Sequence, residues 1–167
     1  MKVVIAIDSF KGSMSSIEAG EAARAGILKV CDAEITVKPL ADGGEGTTKA
    51  LVEGLGGEYV SVEVTGPLGK KTSAAYGILG DGRTAVMEMA EAAGIILVKH
   101  KELDPSRATT YGVGEMILNA VKRGCREFII GIGGSATSDG GVGMLQALGY
   151  AFTDEDGNPV RFGIRDL

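Results

Sequence analysis

The chain has 167 residues, of which 44% are hydrophobic and 23% are charged, and its formal net charge is −5 at pH 7. These totals are typical of a soluble globular protein, and the acidic balance argues against the basic surface of a nucleic-acid-binding protein. The two cysteines lie far apart in sequence, which indicates a reduced, cytoplasmic protein. No apolar run approaches the roughly 18 residues of a membrane span, so no membrane partner is expected.

The first 57 residues alternate strand, loop and helix, as expected for a parallel sheet. Residues 3–7 are a continuous apolar run that predicts a strand buried on both faces. The S-x-x-E spacing from Ser15 to Glu18 predicts a capping box at the start of an Ala-rich helix. A second strand is expected over 34–38, and the helix that follows it should end at Gly56.

From residue 58 onwards the pattern changes to alternating apolar and polar residues. Segments 59–64 and 73–79 predict antiparallel strands, and the Asp81–Gly82 turn joins the second of them to a strand over 84–89. A helix with one apolar face, a buried strand and another helix are expected further on, over residues 113–121, 128–132 and 142–148.

We therefore expect an α/β fold with two domains. Residues 1–57 form the N-terminal part of a parallel-sheet domain, and residues 58–167 form a second, mixed α/β domain with antiparallel hairpins.

Three loops combine glycines with acidic side chains, each between a predicted strand and a predicted helix. They are the first loop (residues 8–13, DSFKGS), the second loop (residues 41–47, ADGGEGT) and the third loop (residues 131–143, GIGGSATSDGGVG). Loops at the carboxyl ends of strands line the ligand crevice of open α/β sheets, and glycines let backbone amides approach an anion.

The presence of acidic side chains near a phosphate site needs an explanation, because a carboxylate without a bound cation repels phosphate. Magnesium supplies one, since it bridges carboxylate and phosphate oxygens. A carboxylate that accepts the proton of an attacking hydroxyl supplies another. The combination indicates phosphoryl transfer. The structural alternative is that Ser13, Asp42 and Asp139 cap helices, and that the glycines of the third loop form tight turns.

The third loop also fits a different function. Gly131, Gly133 and Ala136 match the loose G-x-G-x-x-A pattern of dinucleotide-binding proteins, and Asp154 stands where a ribose-binding acid could lie. A dinucleotide-binding oxidoreductase is therefore the alternative function. Its weakness is the acid and two glycines at 139–141, where the helix of that motif should already run.

Four segments resemble the bacterial-type glycerate kinases, in sequence and in order: the first and second loops, residues 110–115 (TYGVGE) and residues 131–137 (GIGGSAT). The resemblance runs from residue 1 to about residue 160. It implies an ATP- and Mg²⁺-dependent kinase that converts D-glycerate to 2-phosphoglycerate. It also implies a discontinuous Rossmann-like domain, incomplete in this chain, with the active site in the cleft beside a second domain.

Family members run to well over twice this length, so the resemblance implies that this chain is the N-terminal portion of such an enzyme. The partner to be expected is then a C-terminal half, or else another copy of the chain. One departure is Ser138, which stands where the family usually has asparagine.

Site residues are inferred from the loops. Asp42, Lys11 and Asp139 are the catalytic candidates, and Asp42 and Asp139 are also the candidate Mg²⁺ ligands, with the choice between base and ligand open. The candidates for binding phosphate or substrate are Asp8, Ser9, Ser13, Gly43, Gly44, Glu45, Gly133, Gly134, Ser135 and Thr137.

Overall fold

The computed structural model describes residues 1–10, 13–40, 42–161 and 163. The strands and α-helices within these ranges are, in chain order, β1 (Lys2–Ile7), α1 (Ser16–Leu28), β2 (Glu34–Pro39), α2 (Thr47–Leu55), β3 (Gly57–Thr65), β4 (Lys71–Leu79), β5 (Thr84–Glu88), α3 (Ala90–Ala93), α4 (Tyr111–Lys122), β6 (Glu127–Gly131) and α5 (Val142–Ala147). Two short 3₁₀ helices, Ile95–Leu97 and His100–Glu102, lie between α3 and α4.

The first sheet pairs β1 and β2 in parallel, with Lys2 opposite Glu34. Helix α1 makes the crossover and packs on this sheet, and the predicted capping box is confirmed at its start. The Ser15 amide donates to Glu18 Oε2 at 2.8 Å, and the Glu18 amide donates to Ser15 Oγ at 3.3 Å.

The prediction that β1 is buried on both faces is wrong. Exposed and half-buried residues alternate along the strand, and the Val4 side chain is 68% exposed. The reason is that α1 covers one face of a sheet that has two strands in the described residues, while the other face meets solvent.

The second sheet has the order β3-β4-β5-β6. Strands β3, β4 and β5 pair antiparallel, which confirms the predicted hairpins, whereas β5 and β6 pair in parallel through the crossover that contains α4. Every residue of β5 is buried, so this strand lies at the centre of the core.

The Asp81 carboxylate closes the turn between β4 and β5. It accepts hydrogen bonds from the Thr84 hydroxyl (2.6 Å) and from the backbone amides of Arg83 and Thr84 (2.8 and 2.9 Å). The Thr84 hydroxyl and these amides lower the pKa of Asp81 from 3.8 to about 2, because they stabilise the ionised form.

The core lies between the second sheet and the helices on it, and Tyr76, Met87 and Met116 are its largest fully buried apolar side chains. Helix α4 buries Met116 on the face that the sequence predicts, and it approaches α5 closely because Gly114 lies against Met144 and Ala147. None of the helices in the described ranges has the length and apolar character to cross a bilayer.

These sheets and helices confirm the expected α/β class, with a parallel sheet and a second, mixed sheet. Helix α2 belongs to the first predicted domain by sequence, yet its Val52 packs against Gly77 of β4. The domain boundary after residue 57 stays a proposal.

Candidate active site

A cleft of about 690 Å³ lies where the three glycine-rich loops meet. Eight of the residues predicted for the site line it: Asp8, Ser9, Ser13, Asp42, Gly44, Glu45, Gly133 and Gly134. Gly43, Ser135, Thr137 and Asp139 do not line the cleft. The predicted catalytic Lys11 lies outside the described residues. The structure therefore brings the acids of the first two loops together and places the acid of the third loop elsewhere.

The second loop is closed by its own hydrogen bonds. Asp42 Oδ1 accepts from the Gly44 amide at 2.8 Å, which fixes the carboxylate beside the cleft while leaving Asp42 exposed. Thr47 Oγ1 donates to the Gly44 carbonyl at 2.7 Å and accepts from the Gly43 amide at 3.1 Å. A turn with this pattern needs the left-handed conformations of Gly43 (φ 88°) and Gly46 (φ 90°).

A carboxylate from another strand occupies the start of α2. Glu88, at the end of β5, is 7% exposed. Its Oε1 accepts from the Thr48 amide at 2.8 Å and its Oε2 from the Gly46 amide at 3.2 Å. These amides would otherwise be the unpaired donors of a helix N-terminus, so this terminus binds an internal acid where the sequence suggested a phosphate.

Glycines of the second and third loops pack backbone against backbone. The Gly133 amide donates to the Gly43 carbonyl oxygen at 3.0 Å. A Cβ on Gly131 would lie 2.5 Å from that oxygen, and a Cβ on Gly133 would lie 2.8 Å from the Gly44 Cα. Close packing between two loops therefore accounts for these glycines, and the Gly133 amide is already used.

The rest of the third loop is held by the segment after β5. The Gly134 carbonyl accepts from the Ile95 amide, and the Ala136 amide donates to the Ala93 carbonyl, both at 2.9 Å. Ser135 and Thr137 bond to each other, with the two hydroxyl oxygens 2.9 Å apart. These two predicted phosphate-binding hydroxyls thus stabilise the loop outside the cleft lining.

Asp139 is 2% exposed and lies at the starts of α4 and α5. Its Oδ2 accepts from the amides of Thr110 (2.8 Å) and Gly143 (3.1 Å), and its Oδ1 accepts from the Gly141 amide (3.1 Å). The Thr110 hydroxyl donates to the same carboxylate at 2.9 Å. This geometry favours the capping interpretation, and the roles of Asp139 as base or metal ligand stay predictions that these contacts do not support.

The cleft also has charged and apolar residues that the sequence analysis missed. Glu18 lines it, and the Ser15 amide and hydroxyl lower the pKa of its carboxyl by hydrogen bonding to the ionised form. Lys49, in the first turn of α2, adds a cation. An apolar wall is formed by Phe10, Met14, Leu40, Ile95 and Ile96.

Some of the missed residues had a signal in the sequence. Glu88 is near the carboxyl end of the strand predicted over 84–89, and Asp8 directly follows the strand predicted over 3–7; acids at the carboxyl ends of strands are the expected site residues of such sheets. Lys49 comes two positions after the end of the predicted second loop. Ile95 and Ile96 form an apolar pair directly after Gly94, and the structure, not the sequence, shows that Ile96 is 80% exposed.

Magnesium fits this cleft in one binding mode only. The described residues contain no cluster of three or more acids, histidines or cysteines that would form an all-protein metal site. Mg²⁺ bound to nucleotides commonly uses one or two carboxylates, with phosphate and water oxygens as its other ligands. The carboxylates of Asp8 and Asp42 line the cleft and suit that mode.

The dinucleotide-binding alternative requires a helix that starts within the G-x-G-x-x-A segment. The structure begins α5 at Val142, eleven residues after Gly131, and the intervening third loop packs on the second loop and on the segment after β5. The pyrophosphate position of that motif is therefore not formed.

Loops from the ends of several strands that converge on one cleft define an α/β protein with an enzyme-like ligand site. The family model described as the glycerate kinase family matches residues 3–167, and the chain belongs to this family. It is 48% identical to a glycerate kinase of Haemophilus influenzae and 49% identical to a glycerate 2-kinase of Escherichia coli.

These two alignments cover 100% and 98% of the chain, respectively, but 44% and 43% of the relatives. The chain thus spans less than half the length of these relatives. A crystal structure of a putative glycerate kinase 2 from Salmonella typhimurium superimposes with a TM-score of 0.89 and 49% identity, over 98% of this chain and 44% of that one.

Proposed function

We propose that the protein containing this chain transfers the γ-phosphoryl group of ATP to D-glycerate in an Mg²⁺-dependent reaction. The observation that carries the proposal is the meeting of Asp8, Asp42 and Glu45 with the third loop in one cleft of a glycerate kinase family member. The name of the Escherichia coli relative, glycerate 2-kinase, supports 2-phosphoglycerate as the product. A cytoplasmic location belongs to the same proposal, because both substrates are metabolites of that compartment.

In the proposed mechanism Asp42 is the general base. The Gly44 amide holds its carboxylate at the cleft, where the other oxygen accepts the proton of the glycerate hydroxyl. The hydroxyl oxygen then forms a bond to the γ-phosphorus, the bond from phosphorus to the bridging oxygen breaks, and ADP leaves with those electrons. Asp8 is the residue that would hold Mg²⁺, and the ion would supply positive charge to offset that of the phosphates.

Cations and apolar side chains complete the proposed binding of two substrates. Lys49 provides positive charge for an oxyanion. Lys11, a catalytic candidate from the sequence, would stabilise the charge that develops on the transferred phosphoryl group. The apolar wall, which includes Phe10, Ile95 and Ile96, suits the nucleobase of ATP, because a small polar acid such as glycerate needs no such surface.

The chain covers less than half of its relatives, so the whole enzyme is proposed to include a further C-terminal part that completes the site.

The test uses the full-length protein, with ADP formation followed in a coupled assay containing D-glycerate, ATP and Mg²⁺. Phosphorus NMR identifies the product, and 2-phosphoglycerate is expected. ADP formation with a different hydroxy acid but not with glycerate would show that this other acid is the substrate. Tight NADH binding without ATP binding would overturn the kinase proposal.

A further inference from the structure

Glu88 is a buried acid that the proposed mechanism does not use. Its two carboxylate oxygens each accept one backbone amide from a segment about forty residues earlier in the chain, those of Gly46 and Thr48. The backbone of Glu88 belongs to β5, which pairs with β6, and in that pairing Glu88 is opposite Gly131. The side chain therefore connects the second loop to the strand that leads into the third loop.

The second loop depends on such an anchor. Gly43 and Gly46 both adopt left-handed conformations, and glycine-rich segments lose much conformational entropy when they are fixed. Among the described residues, hydrogen bonds to the Glu88 carboxylate tie this segment to the second sheet, and the hydrogen bond from the Gly133 amide to the Gly43 carbonyl ties it to the third loop. Asp42 is next to the attachment at Gly43, and Glu45 lies between the two attachments, next to Gly46.

We propose that Glu88 is a positioning residue for the cleft, and that it fixes the second loop so that Asp42 and Glu45 face the ligand. The identity of the ligand rests on the proposed function, whereas the contact between Glu88 and the second loop does not depend on it. A carboxylate suits this position better than an amide, since both of its oxygens accept and both facing groups are N–H donors.

The test is the substitution Glu88→Gln in the full-length protein. Glutamine keeps the size of the side chain, but its NH₂ group must face one of the two amides, so either Gly46 or Thr48 loses its acceptor. Hydrogen bonds to charged groups are among the stronger ones, so we expect the KM for D-glycerate or ATP to rise about tenfold to a hundredfold. Amide hydrogen exchange at Gly46 and Thr48 should accelerate, while the later turns of α2 keep their protection.

Glu91→Gln is the matched control. Glu91 is three residues further on and also accepts a backbone amide, that of Ala75 at 3.0 Å, but it does not line the cleft. Both variants are expected to lower the melting temperature, and only Glu88→Gln should change KM. A KM that is unchanged in Glu88→Gln, or raised equally in both variants, would overturn the positioning role.

A measurement on the unsubstituted protein covers the case in which Glu88→Gln does not fold. The amides of Gly46 and Thr48 should exchange more slowly than the amide of exposed Glu45, because each donates to Glu88. Unprotected exchange at both positions would refute the proposal. The exchange result is independent of the reaction, so absence of glycerate kinase activity would count against the proposed function alone.

Discussion

Burial divides the acids around the cleft into two groups with different roles. Asp8 and Asp42 line the cleft with exposed or half-buried carboxylates, whereas Glu88 and Asp139 are buried and accept backbone amides with both oxygens. A group that must exchange a proton or bind a metal needs unoccupied oxygens that face the ligand. The first pair therefore suits chemistry, and the second pair suits the stabilisation of loops and helix termini.

The substitution Asp42→Asn removes the proposed base at an exposed position. We expect kcat to fall about 10²- to 10⁴-fold, the usual contribution of general base catalysis, while the melting temperature changes little. The coupled ADP assay and a thermal unfolding curve measure the two quantities. Glu155→Gln, at an exposed position outside the cleft, is the control and should leave both unchanged. Full turnover in Asp42→Asn would exclude it as the base.

The substitution Asp139→Asn should act on stability first. An asparagine NH₂ group placed among the Thr110, Gly141 and Gly143 amides leaves a buried donor without an acceptor, at a cost of about 2 kcal/mol in the free energy of unfolding. Urea denaturation measures this cost, with the exposed Asp156→Asn as control. A variant of normal stability that has lost turnover would restore the predicted catalytic role of Asp139.

At the residue scale the sequence predicted three of the acids that line the cleft, but it did not separate them from the acid that is buried between helix termini. Asp8, Asp42 and Glu45 follow from their place after strands, a rule of open sheets. Capping by Asp139 was only an alternative in the sequence analysis, because sequence alone does not show that α4 and α5 start side by side and share one carboxylate.

At the scale of elements, contacts between loops and between strands decide which glycines can be replaced. Gly131→Ala should destabilise the protein by about 1–3 kcal/mol, because its Cβ would lie 2.5 Å from the Gly43 carbonyl oxygen. Gly26→Ala is the contrasting variant. A Cβ there meets no atom within 4 Å, so the substitution should stabilise α1 by up to about 1 kcal/mol.

Chemical denaturation of the two glycine variants gives both free energies. Equal effects at Gly26 and Gly131 would mean that backbone entropy alone decides these positions and that the approach of the two loops contributes nothing.

The turn between β4 and β5 makes stability depend on pH. The folded-state pKa of Asp81 is lowered to about 2 from 3.8, so its stabilising contribution is present above about pH 4 and is lost as the pH falls towards 2. An NMR titration of Asp81 should show the low pKa. Thr84→Val removes the hydroxyl that is the largest cause and should raise it. An Asp81 pKa near 3.8 in the unsubstituted protein would contradict this account of the turn.

Most elements were predictable from local patterns. The capping box at Ser15, the hairpin turn at Asp81 and the apolar face of α4 are all short-range signals, and all are confirmed. The face of β1 exposed at Val4 was not predictable, because a continuous apolar run has the same pattern whether one or both faces of its strand are covered.

At the scale of the whole molecule the two sheets differ in how well they are enclosed. In the part of the chain that the structure describes, all of β5 is buried within a four-stranded sheet, whereas β1 belongs to a two-stranded sheet with alternating exposure. Two-stranded sheets are marginally stable without further packing. We therefore expect the amides of β1 and β2 to exchange with solvent faster than those of β4 and β5 under native conditions.

Hydrogen exchange followed by mass spectrometry of this chain measures that difference. The same measurement on the full-length protein tests whether further chain covers the exposed face at Val4, since added packing would slow exchange in β1. Uniform exchange across both sheets of the isolated chain would show that they unfold as one cooperative unit.

The hydrogen bond from the Gly133 amide to the Gly43 carbonyl has a consequence for natural variation. Two loops that pack backbone against backbone cannot change in sequence independently, because an added methyl group or an inserted residue in one loop displaces the other. Substitutions at positions 43 and 44 should therefore be accompanied by substitutions at positions 131 and 133 among related sequences, even though almost ninety residues of chain separate the two pairs.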